Sequence, residues 1–228
     1  MKNINVLGVQ FNDMSVREAM KLVSMYLSTE NLNTVCFATT RLLLEARDSE
    51  EFKHCIESMD LVIPATTDIF SVTGYRAKEI ANNVFLHELL KKFSREKMRI
   101  FIVGATEEEQ VRIRESLLSI NEGLTFFGCF SYNADQPGVD DSLINEINSV
   151  LPDVVISNLE SPLQEQLVNR EKQKVNARIW VSLQNESLKS ASLKKRGRGW
   201  LVDFFDRFIF KRVVDKYDSK KKEGNERV

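Results

Sequence analysis

Arg99-Ile-Phe-Ile-Val103-Gly104-Ala-Thr106-Glu-Glu-Glu109 is the stretch on which the fold turns. Residues 99–103 form a nearly continuous apolar run rich in β-branched side chains. This pattern marks a strand covered on both faces, as in a parallel sheet. One glycine later, Thr106 and Glu109 stand at capping-box spacing, which predicts a helix carrying Val111, Ile113 and Leu117 on its inner face. A second apolar run, Leu124–Phe127, follows that helix. Strand, turn, helix and strand in so few residues make a Rossmann-like βα unit.

The same alternation continues in both directions. Strands are expected at Ile4–Val6, Thr34–Phe37, Asp60–Ile63, Asp153–Ile156 and Ala177–Leu183. Ser15-Val-Arg-Glu18 is a capping box ahead of the Ala19, Leu22, Val23, Tyr26 stripe. Ser161-Pro-Leu-Gln164 reads as another, with Pro162 at the first helical position. The fold class is therefore α/β, a parallel or mixed sheet with right-handed crossovers. With four prolines, nine glycines and no internal repeat, nothing divides the body, taken as residues 1–188.

Composition changes near Lys189. The net charge is −1 overall, but residues 189–222 carry twelve Lys/Arg against four Asp, leaving an acidic body and a basic tail. In the tail, Leu201, Phe204, Phe205, Phe208 and Ile209 share one helical face, opposite Asp203, Asp206 and Arg207. This predicts a basic amphipathic C-terminal helical appendage over residues 189–228, frayed after about 218. Each Lys/Arg near an anionic bilayer is worth ~1 kcal/mol before screening, and the aromatic face adds burial, so an anionic membrane surface is the expected partner. Packing on the body or on a second subunit is the competing reading. Nucleic acid is disfavoured by the acidic body and a pI of 6.2. Cys36, Cys55 and Cys129 show neither disulfide nor zinc-ligand spacing, so no metal and no cofactor is expected. The N-terminus lacks a signal-peptide apolar region and no run reaches transmembrane length. These features predict a cytoplasmic protein, held peripherally at the inner face of the cell membrane.

In such a sheet, ligands bind beyond the carboxyl ends of the strands. Gly104-Ala-Thr106 could offer helix-start N–H groups to a phosphate. Ser157-Asn-Leu-Glu-Ser161-Pro-Leu-Gln164-Glu165 forms a second loop. Ala38-Thr39-Thr40-Arg41 and Pro64-Ala65-Thr66-Thr67-Asp68 are hydroxyl-rich and suit a sugar or phosphate. Each is also readable as an ordinary capped turn, the reading favoured for Gly104-Ala-Thr106 and the two hydroxyl-rich loops. No catalytic triad, P-loop or dinucleotide fingerprint is present.

The ordered pieces ESMDLVIP, FIVGAT and SPLQE, with VLGV and PDVVISN around them, resemble the WecG/TagA/CpsF glycosyltransferases over about residues 3–185. The resemblance implies transfer of an N-acetylhexosamine-type sugar from a UDP donor to a polyprenyl-diphosphate-linked acceptor, in bacterial cell-surface polysaccharide assembly. It implies nucleotide-sugar contacts at Gly104, Thr106, Ser161, Gln164 and Glu165, and a catalytic role for Thr39. It also implies a C-terminal appendage that closes over the site, with Arg207 as the matching arginine. The family's Pro-Asp-Gly, whose Asp is the proposed base, is here Pro64-Ala65-Thr66. Its Gly-rich segment reads Ser157-Asn158-Leu159-Glu160, and Asn82-Asn83-Val84-Phe85 stands in place of its Gly-Ser-Asp-Leu. Alanine cannot accept a proton, and loss of a general base costs ~10²–10⁴ in rate. Asp68, about one turn further on, is the substitute base, and tail arginines are candidates to neutralise the diphosphate. Two functions follow: an active glycosyltransferase, or a catalytically silent relative that serves as a binding or accessory protein. A homo-oligomer or other polysaccharide-assembly proteins are further candidate partners.

Overall fold

A computed structural model describes residues 2–65, 69, 84–185 and 187–188. Asp68, Arg207 and the appendage 189–228 lie outside the described residues. The chain begins with a hairpin of β1 (Lys2–Val6) and β2 (Val9–Asp13), followed by α1 (Val16–Tyr26) and β3 (Asn33–Ala38). Then come α2 (Thr40–Asp48), α3 (Glu50–Glu57) and β4 (Leu61–Pro64). Beyond the 66–83 region follow α4 (Val84–Arg95), β5 (Arg99–Gly104), α5 (Glu107–Ile120) and β6 (Thr125–Ser131). The series closes with α6 (Val139–Val150), β7 (Val154–Asn158), α7 (Leu163–Glu171) and β8 (Ile179–Ser182).

Six strands form one sheet in the order β4-β3-β8-β7-β5-β6, and every pairing is parallel. The main sheet is thus parallel rather than mixed. The expected strand at Ile4–Val6 exists but does not join it, pairing instead antiparallel with β2. The two-residue turn between them holds Leu7 at φ 53° and Gly8 at φ 92°, the left-handed pair that suits a tight hairpin. Leu7 is buried, which offsets its unfavourable backbone.

Period-two alternation sorts the strand side chains into two apolar layers. Val35, Phe37, Ile100, Ile102, Val154, Ile156, Ile179 and Val181 pack with α1, α4 and α5. Cys36, Phe101, Val103, Val155 and Trp180 pack with α2, α3, α6, α7 and the hairpin. Right-handed crossovers dictate this division. Connections running toward β6 carry α4 and α5 on one face; those running toward β4 carry α2, α3, α6 and α7 on the other. Full burial of each large apolar side chain contributes about 1.5–3 kcal/mol.

Local signals account for the element ends. Ser15 Oγ accepts from the Glu18 N–H at 3.3 Å and Glu18 Oε2 accepts from the Ser15 N–H at 2.8 Å, completing the expected capping box. At the β6 edge, Ile100 pairs with Phe126 but Phe101 pairs with Gly128, leaving Phe127 as the extra residue of a bulge. The Arg99 guanidinium lies 4.4 Å from the Phe127 ring centroid. Gly128 is required here, because a Cβ would come within 2.6 Å of the buried Phe101 ring.

Candidate functional site

Neighbouring strands exit in opposite directions at several points of the carboxyl edge, and among the described strands their exits diverge at one pair. Strand β5 exits through α5 toward β6, while its neighbour β7 exits through α7 toward β8. Their ends therefore part where Gly104 pairs with Asn158, the kind of gap in which α/β proteins bind ligands. A cleft of about 340 Å³ opens there, lined by Glu109, Arg112 and Ser116 of α5, Asn158 at the end of β7, and Asn185 and Leu188 after β8. Polar and apolar groups share its wall: Asn158 Nδ2 donates to Asn185 Oδ1 at 3.3 Å, beside Ile113 and Leu188. Strands β3 and β4, whose ends carry Thr39 and Ala65, form a second reversal, but there the exit of edge strand β4 runs back across β3 and the two ends converge.

At the first reversal, Gly104 permits close approach of α5, since a Cβ would stand 3.3 Å from the Gln110 Cγ and backbone nitrogen. Thr106 caps α5, its Oγ1 accepting from the Glu109 N–H at 3.3 Å. Glu109 Oε2 accepts from the Ala105 N–H at 3.0 Å, one residue earlier than an ordinary capping box. The Thr106 hydroxyl and the Glu108 N–H hold the Glu108 carboxyl below its usual value. With Glu107, Glu108 and Glu109 all in the first turn, this helix start already supplies its own anions. A phosphate placed on these N–H groups would have to displace them. Arg112 is the cleft's cation, 68% exposed and only loosely paired to Glu109 at 3.6 Å.

At the second reversal, Thr39 is buried and caps α2, its Oγ1 accepting from the Leu42 N–H at 3.2 Å. The Ala65 N–H donates to the Ala38 carbonyl at 2.7 Å, tying the two strand ends together. Ala65 is 2% exposed and belongs to the apolar layer of α1 and α4.

Between the reversals, the third expected capping box does not form. Pro162 is the residue before α7, in helical conformation, and no side chain caps this end. Gln164 turns inward instead, because two strand-end backbone groups need partners. Its Oε1 accepts from the Leu159 N–H at 3.0 Å, and its Nε2 donates to the Leu183 carbonyl at 3.0 Å. Glu165 is fully buried. Its Oε1 accepts from Gln184 Nε2 at 3.0 Å and from Gln164 Nε2 at 3.4 Å, while Oε2 has no hydrogen-bond partner among the described residues. Burial pushes the Glu165 carboxyl above its usual value, opposed by the nearby Ser161 hydroxyl, its own N–H and Gln164, and assisted by nearby Glu45. The Cys36 thiol is raised in turn, chiefly by its own burial and then by the Glu165 charge. Gln184 Nε2 also donates to Ser161 Oγ at 3.1 Å.

The edge therefore holds Asn158, Asn185 and Arg112 in the cleft, with Gly104 and Thr106 in the adjoining β5–α5 turn, Ser161, Gln164, Glu165 and Gln184 around β7 and β8, and Thr39 and Ala65 at the ends of β3 and β4. Over residues 4–184 the chain matches the family model described as Glycosyl transferase WecG/TagA/CpsF family. The chain belongs to this family. Compared with individual curated proteins, it has no match. Membership in the WecG/TagA/CpsF family implies sugar transfer in the assembly of cell-surface polysaccharide or teichoic acid. Among the described residues, no helix is long and apolar enough to cross a membrane. Sequence reasoning passed over Arg112, Gln184 and Asn185. The signal for the latter two was positional: they directly follow a strand of a parallel sheet, at the end where ligands bind.

Proposed function

We propose that this member of the WecG/TagA/CpsF family transfers an N-acetylhexosamine-type sugar from a UDP donor to a polyprenyl-diphosphate-linked acceptor. The observation that carries the reading is the cleft at the β5/β7 reversal, where the Asn158 and Asn185 amides and Arg112 face a common hollow beside Ile113 and Leu188. Its volume suits a small ligand. The uncharged amides of Asn158 and Asn185 suit the hydrogen-bonding edges of a nucleoside, and Arg112 is placed to meet a phosphate. Because the α5 start is already acidic, further positive charge for the diphosphate comes from Arg207 and its neighbours in the basic appendage 189–228. The same appendage holds the protein at the inner face of the membrane, beside its lipid-linked acceptor. Thr39 and Asp68 belong to the acceptor side of the site, and Ser161, Gln164 and Glu165 set the loop between the two sides.

Isothermal titration of UDP and of UDP-N-acetylhexosamines into the full chain tests the donor half. Binding that weakens at least about tenfold in Asn158→Ala or Arg112→Ala, the effect of ~1.4 kcal/mol, is expected. No binding at millimolar ligand, with no transfer to a lipid-diphosphate acceptor in vesicles, would refute the proposal. A second reading, a silent relative that binds in the same pathway, is favoured by one observation: Ala65, at the position of the family's proposed base, lies in apolar packing. UDP binding without any turnover would select it.

A further inference from the structure

A UDP held by the Asn158 and Asn185 amides and by Arg112 leaves one charged group of the cleft unused, the Glu109 carboxylate. The backbone sets its position. In an ordinary capping box this side chain accepts from the N–H of the residue that caps the helix, here Thr106. Glu109 Oε2 accepts instead from the Ala105 N–H at 3.0 Å. Ala105 follows Gly104, whose register partner is Asn158. The carboxylate is thereby drawn toward the pair of strand ends where the cleft opens. Glu107 and Glu108 share the turn without lining the cleft, and the Glu108 carboxyl is held by the Thr106 hydroxyl and its own N–H.

We propose that Glu109 Oε1 accepts from the ribose 2′- and 3′-hydroxyls of the nucleotide, so that this carboxylate selects a ribonucleotide donor; the proposal rests on the nucleotide reading above. Oε1 stands 3.6 Å from Arg112 Nη2, beyond hydrogen-bond distance, and accepts no hydrogen bond among the described residues. An ionised carboxylate only accepts, and a vicinal diol offers two donors. Dinucleotide-binding α/β folds hold ribose by this same pairing, through an acidic side chain on the 2′-hydroxyl. Because Oε2 is already tied to the backbone, Glu109 gives up little side-chain freedom when a ligand arrives.

The rest of the lining suits the rest of the nucleoside. Ile113 and Leu188 give apolar surface for a ring face, and the two amides meet its polar edge. Along α5, Glu109 and Arg112 are separated by a rise of about 4.5 Å, the scale of one ribose between its hydroxyls and its 5′-phosphate. A metal ion at Glu109 would need further oxygen ligands, and among the described residues no group of three Asp, Glu, His or Cys converges. The hydroxyls of the transferred hexosamine offer a similar diol. That source is separated from ribose by the choice of ligands.

The test is calorimetric titration of UDP, 2′-deoxy-UDP and a UDP-N-acetylhexosamine into the full chain, as wild type, Glu109→Ala and Glu107→Ala. Wild type should bind 2′-deoxy-UDP at least about tenfold more weakly than UDP, a difference of ~1.4 kcal/mol. In Glu109→Ala, UDP should weaken to the level of 2′-deoxy-UDP, leaving the two within about twofold. Glu107→Ala removes the same charge from the same turn without touching the cleft, and should keep the wild-type preference. The ratio of the two ligands decides, because loss of the Ala105 anchor alone would weaken both equally and leave it unchanged. Equal wild-type affinities for UDP and 2′-deoxy-UDP would overturn the ribose assignment while leaving the transferase reading intact, as would a preference that survives in Glu109→Ala. A loss in Glu109→Ala confined to the UDP-N-acetylhexosamine, with UDP unaffected, would put the carboxylate on the transferred sugar and overturn it too. A wild type that binds none of the three at millimolar ligand would overturn both.

Discussion

Gln164 joins two parts of the chain that the sheet alone leaves apart at their ends. In Gln164→Ala, the Leu159 N–H and the Leu183 carbonyl lose their partner in a site that is fully buried. Each orphaned backbone group costs about 1–3 kcal/mol, so the variant should lose about 2–6 kcal/mol of stability. Even the lower figure corresponds to a drop of at least ~4 °C in Tm for a chain of this size. Equilibrium urea unfolding gives the value directly, through a lower midpoint with an unchanged slope. Gln164→Glu should be worse than alanine. It keeps an acceptor for Leu159 but loses the donor to Leu183 and places a second carboxylate beside Glu165. An alanine variant within ~0.5 kcal/mol of wild type would show that the bridge carries no weight, as would a glutamate variant more stable than the alanine one.

Gly128→Ala should cost about 1–3 kcal/mol in the same assay, because its methyl would meet the Phe101 ring at 2.6 Å in fully packed surroundings; a neutral result would mean that the β6 bulge can move away. For Glu165, the folded carboxyl keeps its proton to a higher pH than the unfolded one, whose ordinary value is 4.5. Wild-type stability should therefore fall as pH rises from that value through the raised one, and Glu165→Gln should flatten this slope, gaining relative stability as pH increases. Urea midpoints from pH 4 to pH 8 with parallel curves for the two proteins would contradict it.

Much of the fold could be read before the structure, for a physical reason: strands buried on both faces must be apolar at every position. Thr34–Phe37, Asp60–Ile63, Arg99–Val103 and Asp153–Ile156 each fall within a residue or two of β3, β4, β5 and β7. The hairpin partner Val9–Asp13 was not legible, because its turn uses Leu7 in a left-handed conformation that asparagine or glycine usually occupies. The Ser161 start failed for a different reason. Its residues fit a helix cap, but the pull on Gln164 comes from Leu183, a neighbour only after β8 has paired with β7. The loss of the carboxylate at Ala65 was visible from family resemblance alone. The wiring of Glu165 was not, since Gln184, which orients it, comes from a different strand end.

The sheet order has a consequence for how the chain reaches its native state. Among the described strands, the central β7 and β8 are the last two in the chain, and Asn33 must wait for Ile179 before its parallel partner exists. Until then, the β3–β4 pair and the β5–β6 pair are separate half-sheets, each with an open apolar edge. Closing the middle requires joining segments far apart in sequence, which is slow and leaves those edges available to other chains. Truncation before β8 should thus yield two unconnected, aggregation-prone halves rather than a smaller folded protein.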